Sequence, residues 1–275
     1  MAAELADNRL VAELARARSR GRKTLLPFVT AGYPDLPTTL ELLRDFQRRG
    51  VRVCELGVPF SDPIADGAVI QASYTDALAR GVESRGIFDV VRQYRAAGGD
   101  MALVAMVSYS IVFRCGVGPW VADAAAAGFD GLIVPDLPLE EAASLEPLTA
   151  GAGLCNIMLI APNTQADRRR QIASHSRGFI YFISVAGTTG ERSSLPAATI
   201  AAVGELRAQT TTPICVGFGI ARPEMVRTVC EVADGAIVGS AIIHRIADAA
   251  KANLPRQQIV SRAGEFVSHL LSALD

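Results

Sequence analysis

The chain has 275 residues, 50% of them hydrophobic and 20% charged, which is a globular composition with ample length for a large core. Its 27 basic and 28 acidic residues leave a net charge of -1, so no general field favours nucleic acid, and any phosphate must be held locally. The five cysteines (Cys54, Cys115, Cys155, Cys215, Cys230) form no CxxC or zinc-type spacing and the three histidines do not cluster, so no metal site is expected. The cysteines read as small buried residues of a reducing compartment.

The N-terminal stretch MAAELADNRLVAELARARSRGRK mixes acids with bases and lacks the apolar core of a secretory leader. Leu5, Leu10, Val11 and Leu14 fall near helical spacing, so residues 1–20 are expected to form an amphipathic helix. Eight short apolar runs then follow: 24–31, 52–58, 102–109, 131–136, 155–162, 179–186, 213–219 and 235–240. Each has strand length and continuous hydrophobicity, as expected of parallel strands buried on both faces. Helical patterns lie between them. The clearest are 37–50, with Leu40, Leu43 and Phe46 on one stripe and Gly50 as a stop, then 119–128, and 222–233 with Pro223 at its start. Eight strand–helix units over about 250 residues predict a single (β/α)8 barrel, one α/β domain over 1–275. An open doubly wound sheet is the alternative, but 29-VTAGYPD-35 carries no dinucleotide fingerprint after the first strand. The longest apolar runs fall far short of the ~20 residues a membrane span needs, and a cytoplasmic protein is expected.

In such a barrel, function sits at the C-terminal ends of the strands. There, Glu55 interrupts the second strand and shares a face with Val53 and Gly57. A carboxylate buried in that position is costly to ionise, and its pKa should rise. A structural Glu would pair with an inward Lys or Arg, but the strand interiors are almost free of both. Asp66 follows eleven residues later, in a loop stiffened by Pro59 and Pro63. On its own it reads as a turn residue; beside a buried Glu it reads as the second member of an acid–base pair. Asp62 opens a Ser-Asp-Pro turn and carries less functional weight. Three late glycine-bearing segments, 187-GTTG-190, 217-GFG-219 and 239-GS-240, are candidates for a phosphate cradle after strands six to eight. Ser240 adds a hydroxyl where the last helix should begin. The stretch 184-SVAGTTGERSSLP-196 reads as a lid.

The segment 55-ELGVPFSDPIADGAVIQ-71 closely resembles the signature of the tryptophan synthase α-subunit family. So do 28-FVTAGYPD-35, 131-GLIVPDLPLEE-141, 184-SVAGTTGER-192, 217-GFGI-220 and 238-VGSAI-242, in the family's order and over most of the chain. The resemblance implies a (β/α)8 barrel that cleaves indole-3-glycerol phosphate to indole and glyceraldehyde 3-phosphate by a retro-aldol reaction. It implies no cofactor in this chain, with pyridoxal phosphate confined to a β-subunit partner in an αββα complex. Glu55 and Asp66 match the family's catalytic carboxylates; Tyr181 and Thr189 match supporting residues, the latter an anchor for the loop aspartate. Phe28 and Phe218 match its indole pocket, which Met106 and Ile133 are expected to complete. Gly190, Gly219, Gly239 and Ser240 match its phosphate site. The third strand departs from the family's usual Tyr-x-Asn, placing Ser108 and Ser110 in a region that helps contact the partner, as Asp62 is also expected to do. GTTG stands for the more usual GVTG or GITG, and Ala68 for a common Pro. Two other readings remain at this point: a stand-alone lyase releasing free indole, and a subunit that mainly activates its partner.

Overall fold

The computed structural model describes residues 5, 7–63, 66–183, 197–217 and 219–274. Eight parallel strands close into a barrel in simple chain order, the first pairing with the last. The strands are β1 (Thr24–Thr30), β2 (Val53–Gly57), β3 (Ala102–Met106), β4 (Gly131–Ile133), β5 (Cys155–Ile160), β6 (Ile180–Ile183), β7 (Ile214–Gly217) and β8 (Gly235–Val238). Nearly every strand residue is buried, because helices cover the outside and side chains fill the inside. Each apolar run expected from the sequence contains one strand.

The helices are α1 (Arg9–Ser19), α2 (Leu36–Arg48), α3 (Ala68–Ala79), α4 (Ser84–Ala96), α5 (Tyr109–Cys115), α6 (Val117–Ala127), α7 (Leu139–Gly151), α8 (Ala166–His175), α9 (Ala197–Arg207), α10 (Pro223–Val232), α11 (Ser240–Lys251) and α12 (Arg256–Leu271). Their ends follow local chemistry. Asp35 caps α2 by accepting the Thr38 N–H at 2.6 Å, and α10 begins at Pro223, where a missing N–H leaves no bond unmade. The N-terminal helix starts at Arg9 because Asn8 caps it, accepting the N–H groups of Leu10 and Val11. Leu5, expected inside that helix, is buried ahead of it. The Asn8 amide also donates to the carbonyls of Asp130 (2.7 Å) and Gly153 (2.8 Å), which ties α1 to the lower rim of the barrel. Cys54, Cys155, Cys215 and Cys230 are buried, as expected, but Cys115 is exposed at the end of the short α5. Among the described residues, no helix is long and apolar enough to cross a membrane.

Pairing register decides which residues share a level inside the barrel. Phe28 lies beside Glu55, Glu55 beside Val104, and Val104 beside Gly131. One step higher, Gly57, Met106, Ile133 and Ile157 form the next level. The upper rim is therefore built on a level that contains one carboxylate and otherwise apolar groups on these strands.

Candidate active site

Glu55 is fully buried, and neither of its carboxylate oxygens has a hydrogen-bond partner among the described residues. Its strand neighbours Phe28 and Val104 supply none. Burial without a compensating charge pushes its carboxyl well above the usual carboxylate range. Asp66 sits in the β2–α3 loop, which folds back on itself. Its N–H donates to the Pro63 carbonyl at 3.0 Å, while the Gln71 side-chain amide donates to the carbonyls of Asp66 (2.8 Å) and Pro63 (3.1 Å). Burial raises the Asp66 carboxyl to about 6. The two acids thus differ in environment: one dry and strongly raised, the other half-buried and poised near neutrality.

Two tyrosines accompany them. Burial, with the charges of Glu55 and Asp66 added, raises both the Tyr181 and Tyr74 hydroxyls well above the ordinary phenol. Two glycines make room for these rings. A Cβ at Gly57 would collide with the Phe28 ring and lie 2.6 Å from the Tyr74 hydroxyl; one at Gly217 would collide with the Tyr181 hydroxyl.

A cavity of about 300 Å³ opens at this end of the barrel. Phe28, Met106 and Tyr181 line it from β1, β3 and β6, and Asp66 from the loop. Gly219 joins from the turn after β7, where its φ of +79° is a left-handed conformation that favours glycine. Gly239 and Ser240 line it at the start of α11, whose first N–H groups have no intrahelical partner and favour an anion. A mostly apolar pocket with an acid at one place and a helix N-terminus at another suits a ring-bearing phosphate ester.

Of the pocket residues expected from sequence, Ile133 is fully buried between Met106 and Ile157 and does not line this cavity. Thr189, Gly190, the rest of 184–196 and Phe218 lie outside the described residues. Asp62 and Ser110 are exposed. Ser108 caps α5, and its hydroxyl donates to Asp136 at 2.7 Å while the Tyr109 N–H donates to the same carboxylate at 2.8 Å. Among the described residues, no three His, Cys, Asp or Glu side chains gather as metal ligands.

A family model described as "Tryptophan synthase alpha chain" matches residues 14–271. The chain belongs to the tryptophan synthase alpha chain family. The chain named "Tryptophan synthase alpha chain" from Rhodopirellula baltica is 44% identical over 265 residues, covering 94% of this chain and 95% of that one. Its namesake from Chloroflexus aggregans is 43% identical, covering 98% of each. Among solved structures, tryptophan synthase subunit alpha from Legionella pneumophila superposes with a TM-score of 0.88 at 34% identity, covering 98% of both chains. Members of the tryptophan synthase alpha chain family are lyases of tryptophan biosynthesis that cleave indole-3-glycerol phosphate, and this chain shares their function.

Sequence reasoning missed several residues of the site. Ile70 and Tyr74 share a face of α3 at an i, i+4 spacing, so helical periodicity after Asp66 could have found both. Gln71 has no such signal, because its role is to hold backbone carbonyls of the loop before it. His244 lines the cavity one turn after Ser240, a spacing legible once the helix start is known.

Proposed function

We propose that Glu55 and Asp66 carry the cleavage of indole-3-glycerol phosphate in this chain. The observation that supports this most is a buried Glu55 with no hydrogen-bond partner among the described residues, close enough to Tyr181 and Tyr74 to raise their pKa values. Protonated Glu55 delivers its proton to C3 of the indole ring, while anionic Asp66 takes the ring N–H proton. The Glu55 carboxylate then accepts the proton of the side-chain hydroxyl at the cleaved carbon. As the C–C bond breaks, its electron pair returns to the ring and the nitrogen recovers its proton from Asp66. Indole and glyceraldehyde 3-phosphate leave, and Glu55 is again protonated.

In this reading, Phe28, Met106 and Phe218 wall the indole ring, while Ile133, next to Met106 in register, belongs to the buried barrel interior. Gly190, Gly219, Gly239 and Ser240 hold the phosphate, Tyr181 assists Glu55, and Thr189 anchors Asp66. The chain uses no cofactor of its own and works in the cytoplasm as one barrel domain. Its product passes to a pyridoxal-phosphate β subunit in an αββα assembly, with Asp62, Ser108 and Ser110 on the contacting rim. Ser108 and Ser110 also motivate a second reading, a lyase that releases free indole alone; indole release that stays unchanged when a β subunit is added favours it.

The deciding experiment is Glu55→Gln, which keeps shape and removes the proton. Steady-state cleavage should fall by roughly two to four orders of magnitude, the usual contribution of a general acid–base group. Retained lyase activity would overturn the assignment.

A further inference from the structure

The substrate's phosphate ester carries up to two negative charges, and Asp66 lines the same cavity. Backbone N–H groups, a hydroxyl and the partial charge of a helix N-terminus answer only part of that negative charge. Among the described residues that line the cavity there is no Lys or Arg; the one basic side chain is His244. It stands on α11 one turn beyond Ser240, so both side chains project from the same helix face toward the mouth. Its Nδ1 lies 3.4 Å from an Asp248 carboxylate oxygen, a further turn along, and Nε2 is the ring's other nitrogen.

We propose that His244 binds the phosphate end of the substrate, supplying the one basic side chain that this part of the site has among its described residues. The inference rests on the reading of Gly239 and Ser240 as the phosphate cradle. It assigns His244 to substrate affinity and not to the proton transfers at the indole ring, which lie at the Glu55 and Asp66 end. The side chain is 53% exposed, so solvent screens its attraction and a moderate effect is expected.

The test compares the full-length protein with His244→Gln and His244→Lys. It measures steady-state cleavage of indole-3-glycerol phosphate and, separately, calorimetric binding of glycerol 3-phosphate, which needs no chemistry. His244→Gln should raise both KM and the Kd for glycerol 3-phosphate about three- to tenfold with kcat within about twofold, the loss of one partly exposed charge-assisted contact. His244→Lys should restore both to within about twofold of the parent. If Gln leaves KM and Kd unchanged, or if Lys is as impaired as Gln, the inference falls, because the charge then contributes nothing. Absence of glycerol 3-phosphate binding in the parent also overturns it. Failure of the underlying reading looks different: a parent chain that does not cleave indole-3-glycerol phosphate, or a Glu55→Gln variant that still does.

Discussion

Glu55 and Asp66 are both raised by burial, yet to different degrees, and that difference sets their pH behaviour. Asp66 moves from an ordinary 3.8 to about 6 in the native protein. Between those values the native state holds a proton that the unfolded chain has released, so this group's contribution to stability falls as pH rises through that window. Asp66→Asn should therefore raise the melting temperature above pH 6 and leave it unchanged below about pH 4, which thermal melts at the two pH values will check. Activity runs the other way. If the anion is the working form, kcat/KM of the parent should drop about tenfold per pH unit below about 6, and a profile flat to pH 5 would count against Asp66 as the ring-nitrogen base. The phenol of Tyr181 stays protonated throughout this range, since burial and both acids push it upward.

At the scale of elements, the barrel's lower rim is pinned twice in the same way. Asp130, just before β4, accepts the Leu103 N–H of β3 at 2.8 Å and pairs with Arg95 at the end of α4 at 2.8 Å. Asp234, just before β8, accepts the Ile214 N–H of β7 at 2.7 Å and pairs with Arg207 at the end of α9. The pattern recurs four strands apart, each time joining a strand, the helix before it and the start of the next strand. Arg95 further donates to the carbonyls of Gly128, Gly99 and Met101, and Arg9 reaches Asp130 from α1 at 3.1 Å. Removing a partner from so buried a pair leaves an uncompensated charge. Asp130→Ala is expected to cost about 3–5 kcal/mol in urea denaturation. The Asp234→Ala cost should be smaller because its pair is more exposed. Neither should change KM, since both sit at the end of the barrel away from the cavity.

Across the whole molecule, the two rims divide stability from function. The upper rim also carries Phe113, 69% exposed on α5, which with Leu148 makes up the exposed large apolar side chains among the described residues. It lies one turn from Ser110, on the helix capped by Ser108, so the proposed partner-contacting region has an aromatic anchor that sequence motifs did not single out. Phe113→Asp should weaken binding to a β subunit at least tenfold by calorimetry while leaving basal indole release within twofold. Equal affinity for both forms would move the interface elsewhere.

The sequence by itself determined the architecture: strand-length apolar runs buried on both faces leave a closed barrel as the economical solution, and each run holds its strand. It also grouped Glu55 with Val53 and Gly57 on one buried face, because period-two alternation is a local property. Only the tertiary structure decided depth and company. Ile133 and Met106 are adjacent in register, yet Met106 lines the cavity and Ile133 does not. Ser108, a departure in sequence, is a helix cap held by Asp136, 28 residues away. Tyr74 and His244 enter the site because α3 and α11 pack beside each other across the β1–β8 seam, although more than 160 residues separate them. Local periodicity records which way a side chain faces; barrel closure, through register and helix packing, decides what it meets.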